Sequence, residues 1–281
     1  MAYITYILGI TLFIITIIYH FTNINYLLSF GLILLTIIHF SLFRHYSIRK
    51  KDLIKGNLIN KKSNIKNIPK VIREPKKFFL DQLKDWKANE KYKDSIYGLH
   101  WGDPDKNLAH IYIKKRFIEP YINSNSVALE IGPGGGRWTK YLLEFKKLYV
   151  IDHYQEILDE LKKNYNKKNM VFIKNNGTDF PRIPKKSIDF LFTYACFVHL
   201  EVKTIDKYLK NILKIVNNNS KICIQYSDNN KELGRNESFT KNNPRIMRKL
   251  IIDNGYEIID EDTEFLKNSS IILFKIKNKK L

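Results

Sequence analysis

Cysteine is nearly absent from this chain of 281 residues, which holds two, Cys196 and Cys223, both inside apolar, strand-like runs. Two thiols cannot build a disulfide framework, and in these surroundings they read as reduced core residues rather than a metal pair. Charge is missing altogether from the first 43 residues, so the whole formal charge of +20 lies beyond them. No internal repeat is visible. A basic n-region and an A-x-A-like cleavage site are also missing, which argues against reading the N-terminal stretch as a cleaved signal.

What stands there is apolar. Residues 2–21 and 26–43 are runs of 20 and 18 residues, and at ~1.5 Å per residue each covers the hydrocarbon core of a bilayer. The short Thr22-Asn-Ile-Asn25 between them predicts an antiparallel transmembrane hairpin. Tyr19, His20 and Tyr26 suit one interface, while Arg44, Arg49, Lys50 and Lys51 mark the cytoplasmic end. Residues 44–77 carry 12 Lys or Arg against two acids, a basic linker that anionic headgroups attract. The expectation is a multi-pass membrane protein: hairpin 1–43, linker 44–77 and a cytoplasmic catalytic domain 78–281. The remaining basic excess is spread through a Lys-, Asn- and Ile-rich domain and does not by itself imply nucleic acid.

Beyond the linker, the hydrophobic period alternates between helix and strand. Phe78, Phe79, Leu80, Leu83 and Trp86 predict a helix over 76–92. Gly98, Gly102 and Pro104 mark a loop, and Asp103-Pro104 predicts the start of a helix over 104–119. Strands are expected at 127–131, 148–152, 170–173, 188–193, 221–226, 256–259 and 270–276. Helices are expected over 138–148, around 157–161, over 201–216 and over 246–254. This alternation implies parallel βαβ units with right-handed crossovers, and the last two strands, with no helix between them, imply an antiparallel pair. The fold class is α/β, a Rossmann-like seven-stranded sheet with a terminal antiparallel pair.

The stretch Val127-Ala-Leu-Glu-Ile-Gly-Pro-Gly-Gly-Gly-Arg137 is the most informative in the chain. A buried strand runs into glycines that let a ligand approach the backbone closely. The dinucleotide fingerprint G-x-G-x-x-G fails on spacing: counted from Gly132 the third glycine falls on Arg137, and counted from Gly134 it falls on Thr139. Glu130, Gly132, Gly134 and Gly136 form acid-x-Gly-x-Gly-x-Gly instead, which resembles the first motif of class I S-adenosylmethionine-dependent methyltransferases. The order of motifs over about residues 95–277 extends the resemblance, and Gly132-Pro-Gly-Gly-Gly-Arg-Trp-Thr139 with Trp101-Gly-Asp-Pro104 is similar to a bacterial subgroup associated with surface glycans or small molecules.

The resemblance implies S-adenosylmethionine as cofactor, with Glu130 and the three spaced glycines beside its methionine part. Asp152, at the end of the second strand, would accept from both ribose hydroxyls, or else cap the following helix. His153 would flank the adenine or lie in an exposed turn. Gly177, Thr178 and Asp179, in the loop after the third strand, would meet the adenine amino group, with register open between them. Tyr194-Ala-Cys-Phe-Val-His-Leu200 follows strand four and brings Tyr194 to the cofactor. His199 is the first candidate for a base, with packing as its other reading, and Tyr226 and Asp228 are placed on the acceptor side. His100 and Trp101 suit a lid, and Arg137 suits an anionic group or a surface carboxylate.

The acceptor is not specified: a lipid headgroup, a lipid-linked sugar or a small metabolite all suit a membrane-face enzyme. A binding module that kept the fold, or an RNA methyltransferase, stays as the alternative. The Asp/Asn-Pro-Pro-Tyr motif for base amino groups is absent where Thr193-Tyr-Ala-Cys196 stands, so nucleic acid ranks below small molecules.

Overall fold

The structure is a computed structural model that describes residues 75–92, 95–236 and 238–277, with position 15 apart from them. These segments fall in the unit Arg73–Leu281. The apolar runs 2–21 and 26–43 and most of the basic linker lie outside the described residues. Among the described residues no helix is long and apolar enough to cross a membrane. That overturns the expectation of a multi-pass membrane protein.

Seven strands form one sheet: β1 (Val127–Ile131), β2 (Lys147–Asp152), β3 (Met170–Lys174), β4 (Ile188–Thr193), β5 (Val216–Ser227), β6 (Tyr256–Asp262) and β7 (Ser269–Ile276). Their order is β3-β2-β1-β4-β5-β7-β6. The first five are parallel, and β7 runs antiparallel to both of its neighbours. Strands β1 to β3 build outward on one side and β4 starts on the other. The β1–β4 boundary is therefore the switch point, where loops diverge and leave a crevice.

Helices cover both faces, and strand parity sorts the core between them. Leu129 and Ile131 pack with Ile205, Leu209 and Ile212 of α5 (Val202–Ile215) and Met247 and Ile251 of α6 (Pro244–Asp253). Ala128 packs on the opposite face with Ile113 and Phe117 of α2 (Leu108–Phe117), Trp138, and Leu142 of α3 (Thr139–Leu142). Between β2 and β3 lies α4 (Gln155–Asn164), and α1 (Pro75–Ala88) precedes them all, its Leu83 and Trp86 meeting Tyr97 and Ile157.

Three helices differ from expectation by four residues or more, the first of them ending at Ala88 rather than at 92. The second helix begins at Leu108, not Pro104, because Asn107 Oδ1 accepts from the backbone N–H groups of Ala109 and His110 at 3.0 and 3.2 Å. That satisfies donors a helix start leaves open. The stretch 138–148 is helical only over Thr139–Leu142, since Lys147 and Leu148 are already drawn into the ladder opposite Val127 and Ala128. Far from the cleft, Arg116 of α2 holds Asp260 of β6 through Nε and Nη2 at 2.8 and 2.5 Å, fixing the helix that carries His110. The cysteines are free thiols, Cys223 fully buried.

Candidate active site

A cleft of about 890 Å³ opens at the switch point. Its floor is the loop after β1. Gly132 and Gly134 line it, with φ of +66° and +57°, and both need glycine for different reasons. A Cβ on Gly132 would press on Cys196 Cβ and Sγ at 2.6 and 2.7 Å, whereas one on Gly134 would meet nothing within 4 Å. Gly134 therefore presents bare backbone to the cleft. Gly136 does not line it: φ is +101°, and a Cβ there would strike the Tyr165 ring at 2.5 Å and Leu161 at 2.8 Å. It is a packing glycine under α4, which corrects its assignment to the cofactor. A Cβ on Gly135 would stand 2.6 Å from the Tyr97 carbonyl oxygen.

Parity turns Glu130 away from the cleft, onto the face of Ala128. Its Oε2 accepts from Thr139 Oγ1 at 2.6 Å, and burial, opposed by that bond and by nearby Arg137, pushes its carboxyl up to about 7. Glu130 ties the loop to α3 from behind. Asp152 ends β2 and does line the cleft. Burial pushes it up to about 6, and its Oδ1 accepts from the Tyr154 backbone N–H at 2.9 Å. One oxygen anchors the turn before α4, whose N-cap is Tyr154 rather than Asp152, while the residue lines the cleft.

His153 stands next to it, with Nδ1 3.3 Å from the Asn175 carbonyl. Asn176 and Gly177 line the adjoining wall, but Thr178 and Asp179 do not. Asp179 Oδ1 accepts from the Asn176 N–H at 2.8 Å, and the Thr178 carbonyl accepts from Asn211 Nδ2 at 2.9 Å. Of the loop's residues Asn176 and Gly177 reach the cleft, and Thr178 and Asp179 shape the loop.

The opposite wall follows β4. Tyr194 lines the cleft, its phenol held above the ordinary range by burial. The Arg137 guanidinium lies 5.4 Å from its ring. His199 also lines the cleft. Its Nδ1 lies 2.6 Å from the Ser238 carbonyl, between the rings of Phe79 and Phe239 at 5.2 and 5.5 Å. A carbonyl only accepts, so Nδ1 carries the proton and Nε2 keeps its lone pair. Burial lowers this imidazole below the usual histidine range.

Tyr226 is not in the cleft. Its hydroxyl donates to Glu261 Oε1 at 2.6 Å in the core on the α5 face, so it is withdrawn as a catalytic candidate. Asp228 is buried too, accepting from Ser270 Oγ at 2.8 Å. Gln225, one residue earlier, lines the cleft in place of Tyr226, its Oε1 taking the Ala195 N–H at 2.5 Å. The alternation of β5 was the available signal. His110 was unmarked in sequence. It lines the cleft from α2, with Nδ1 3.1 Å from the Gly102 carbonyl, and burial pushes it down to about 4. Trp101, half exposed, and Gly98 close one rim.

The arrangement fits a nucleoside whose ribose meets Asp152 and whose tail lies along Gly132 and Gly134. A family model described as a methyltransferase domain matches residues 129–224. Among solved structures, a chain of the DhpI–SAH complex is 16% identical with a TM-score of 0.54, covering 72% of this chain and 98% of that one. An S-adenosylmethionine-dependent methyltransferase from Clostridium acetobutylicum ATCC 824 is 11% identical with a TM-score of 0.52, over 71% of this chain and 99% of that one. A SAM-dependent methyltransferase from Leishmania major is 16% identical with a TM-score of 0.51, over 70% and 83%. At such identities the solved structures speak for the fold. No curated protein matches the chain. Strand order, the loop after β1 and the match over residues 129–224 converge: this part of the chain is similar to a methyltransferase domain, and the protein is an enzyme whose methyl donor is S-adenosylmethionine.

Proposed function

We propose that the domain methylates a hydroxyl of a small-molecule acceptor, with His199 as the general base. The observation that carries this reading is the tautomer of His199: the Ser238 carbonyl at 2.6 Å fixes the proton on Nδ1. Nε2 is thereby left to take a proton in the same cleft that holds Asp152 and Gly134. The imidazole is neutral at neutral pH because burial disfavours its cation.

S-adenosylmethionine, when bound, supplies a methyl group already activated on sulfonium, so little covalent work falls to the protein. Asp152 orients the ribose, and the loop Gly132–Gly134 leaves room for the tail. With that group bound, His199 Nε2 would take the proton of an acceptor hydroxyl as its oxygen receives the methyl group. Phe79, Phe239 and Val198 border the base with apolar surface, which excludes water and favours an acceptor with an apolar body. A glycan or a lipid-derived hydroxyl is compatible with the same chemistry, and the walls favour a compact molecule.

The test is untargeted mass spectrometry on small-molecule and glycan extracts incubated with the purified protein and S-adenosylmethionine carrying an isotopically labelled methyl group. The expected result is one labelled methyl on an oxygen of a small molecule. Label found only in RNA, or on nitrogen, would sink the reading.

A further inference from the structure

Asn268 is a side chain of the cleft wall whose hydrogen-bonding role is set by a relay behind it. Ala195, Gln225 and Asn268 all line the cleft. The Ala195 backbone N–H can only donate, and it reaches Gln225 Oε1 at 2.5 Å. That orients the Gln225 amide, whose Nε2 donates to Ser269 Oγ at 2.7 Å. Ser269 is fully buried, and its hydroxyl donates in turn to Asn268 Oδ1 at 2.9 Å. Every link has a direction, so the order of oxygen and nitrogen in both amides is settled. Asn268 turns its oxygen inward, onto the serine. Its Nδ2 meets no protein acceptor among the described residues, and the residue is half-buried at the surface of the cleft.

The segment that carries this donor is held firmly. Lys231 Nζ donates to the carbonyls of Leu266 and Ser269 at 2.7 and 2.6 Å, and the Asn268 carbonyl accepts from the Asp228 N–H at 3.4 Å. Asn268 immediately precedes β7. In the order β1-β4-β5-β7 that strand stands three places from β1, ~14 Å at the usual strand spacing. Asp152 and Gly177 follow β2 and β3, on the other side of β1. The donor therefore serves the part of the cleft away from the nucleoside. Leu233 and Phe239, from the loop after β5, and Leu266, from the loop before β7, line the cleft with apolar surface.

We infer that Asn268 selects the methyl acceptor, its Nδ2 donating to a carbonyl-type oxygen (ketone, ester or carboxylate) on the molecule whose hydroxyl meets His199. The inference rests on the proposed transfer to a hydroxyl and deepens it by giving the substrate a second functional group. The substrate class is then a hydroxyl at one end, an apolar body, and an oxygen that accepts without donating at the other. An alkyl group placed there strips water from Nδ2 and returns no hydrogen bond, which costs binding. An ammonium or amide N–H placed there sets donor against donor, and is rejected for that reason. The relay fixes the amide before the ligand arrives, so little ordering is left for binding to supply.

Matched phenols of two lengths test this: para-hydroxyacetophenone against para-ethylphenol, and para-hydroxybenzylacetone against para-butylphenol. Each is titrated into the full chain with S-adenosylhomocysteine present, and binding is read by ligand-observed NMR. At least one ketone should bind roughly tenfold more tightly than its alkyl partner. Asn268→Asp keeps an oxygen for Ser269 but turns an acceptor toward the cleft. It should abolish the preference while S-adenosylhomocysteine affinity stays within about twofold. Ketones that bind no better than their alkyl partners at both lengths, absence of binding included, overturn the inference. A preference that survives Asn268→Asp overturns it too. If Asn268→Asp does not fold, Asn268→Ala takes its place with the same loss expected, and the wild-type comparison decides by itself. Failure of the His199 reading looks different: the ketone binds with the preference intact but receives no labelled methyl group from S-adenosylmethionine.

Discussion

The two halves of the cleft are built on different principles. The cofactor half hangs on strand ends: Gly132 and Asp152 directly follow or end β1 and β2, and their positions are set by the ladder itself, with Ile131 opposite Ile151 and the Gly132 N–H bonded to the Ile151 carbonyl at 2.9 Å. The half proposed to take the acceptor is assembled from segments distant in sequence. His199 depends on Ser238, and its two flanking rings come from α1 and from the loop after β5. A strand end is as rigid as its sheet, whereas a wall gathered from loops changes freely without disturbing the fold. One half can stay suited to one cofactor while the other is adapted to an acceptor.

Substitutions that separate binding from turnover will sharpen this contrast. The largest effect is expected from His199→Asn, whose amide can still donate to the Ser238 carbonyl but cannot take a proton: kcat should fall about 10²- to 10⁴-fold, with S-adenosylhomocysteine affinity unchanged by calorimetry. A comparable loss of affinity would merge the two halves. Next comes Gly136→Ala, which combines a left-handed φ of +101° with a collision on Tyr165. Thermal unfolding should show a loss of about 2–4 kcal/mol, against about 1–2 kcal/mol for Gly134→Ala, where strain acts without a clash.

Asp152→Ala should cost roughly 2 kcal/mol of cofactor binding, the range for hydrogen bonds to a charged group. Its pH dependence carries a sign. Folding raises Asp152 from 3.8 to about 6 and Glu130 from 4.5 to about 7, both by burial. Their contribution to unliganded stability is fully present below pH 3.8 and is lost as pH climbs through about 6 and 7, because the folded state holds protons the unfolded chain has released. The proposed ribose contact needs Asp152 as an acceptor, so cofactor affinity should move the other way, rising across the same interval. Affinity titrated from pH 5 to pH 8 that stays flat would remove Asp152 from the ribose. The smallest effect is expected from Tyr226→Phe: about 1 kcal/mol of stability from the bond to Glu261, and no change in kcat.

The sheet was legible from sequence because its strands are buried runs with glycine, acid or polar punctuation, and parity alone put Leu129 and Ile131 on one face. Misreadings came where one signal served two causes. Gly136 shares the spacing of the ligand-facing glycines, but its reason is Tyr165, 29 positions away, a contact that local sequence does not express. Asp103-Pro104 is a fair helix start, yet Asn107 outcompetes it by reaching two backbone donors. Tyr226 was misplaced by a single residue of strand phase, which exchanges the cleft for the core. His199 could be picked out as a candidate, but its tautomer could not, since that depends on the Ser238 carbonyl 39 positions along the chain.

The antiparallel strand β7 has a further consequence, for the order in which the domain can be made. It comes last among the described strands, yet it lies inside the sheet, with Ile271 to Phe274 fully buried between β5 and β6. While a ribosome is still producing the segment after β6, β5 has an open edge and β6 has no partner in the sheet. The domain is therefore closed by insertion rather than by extension. Until Ser269–Ile276 are available, the nascent chain exposes two unpaired strand edges, an interval in which a chaperone or an unwanted pairing can reach it.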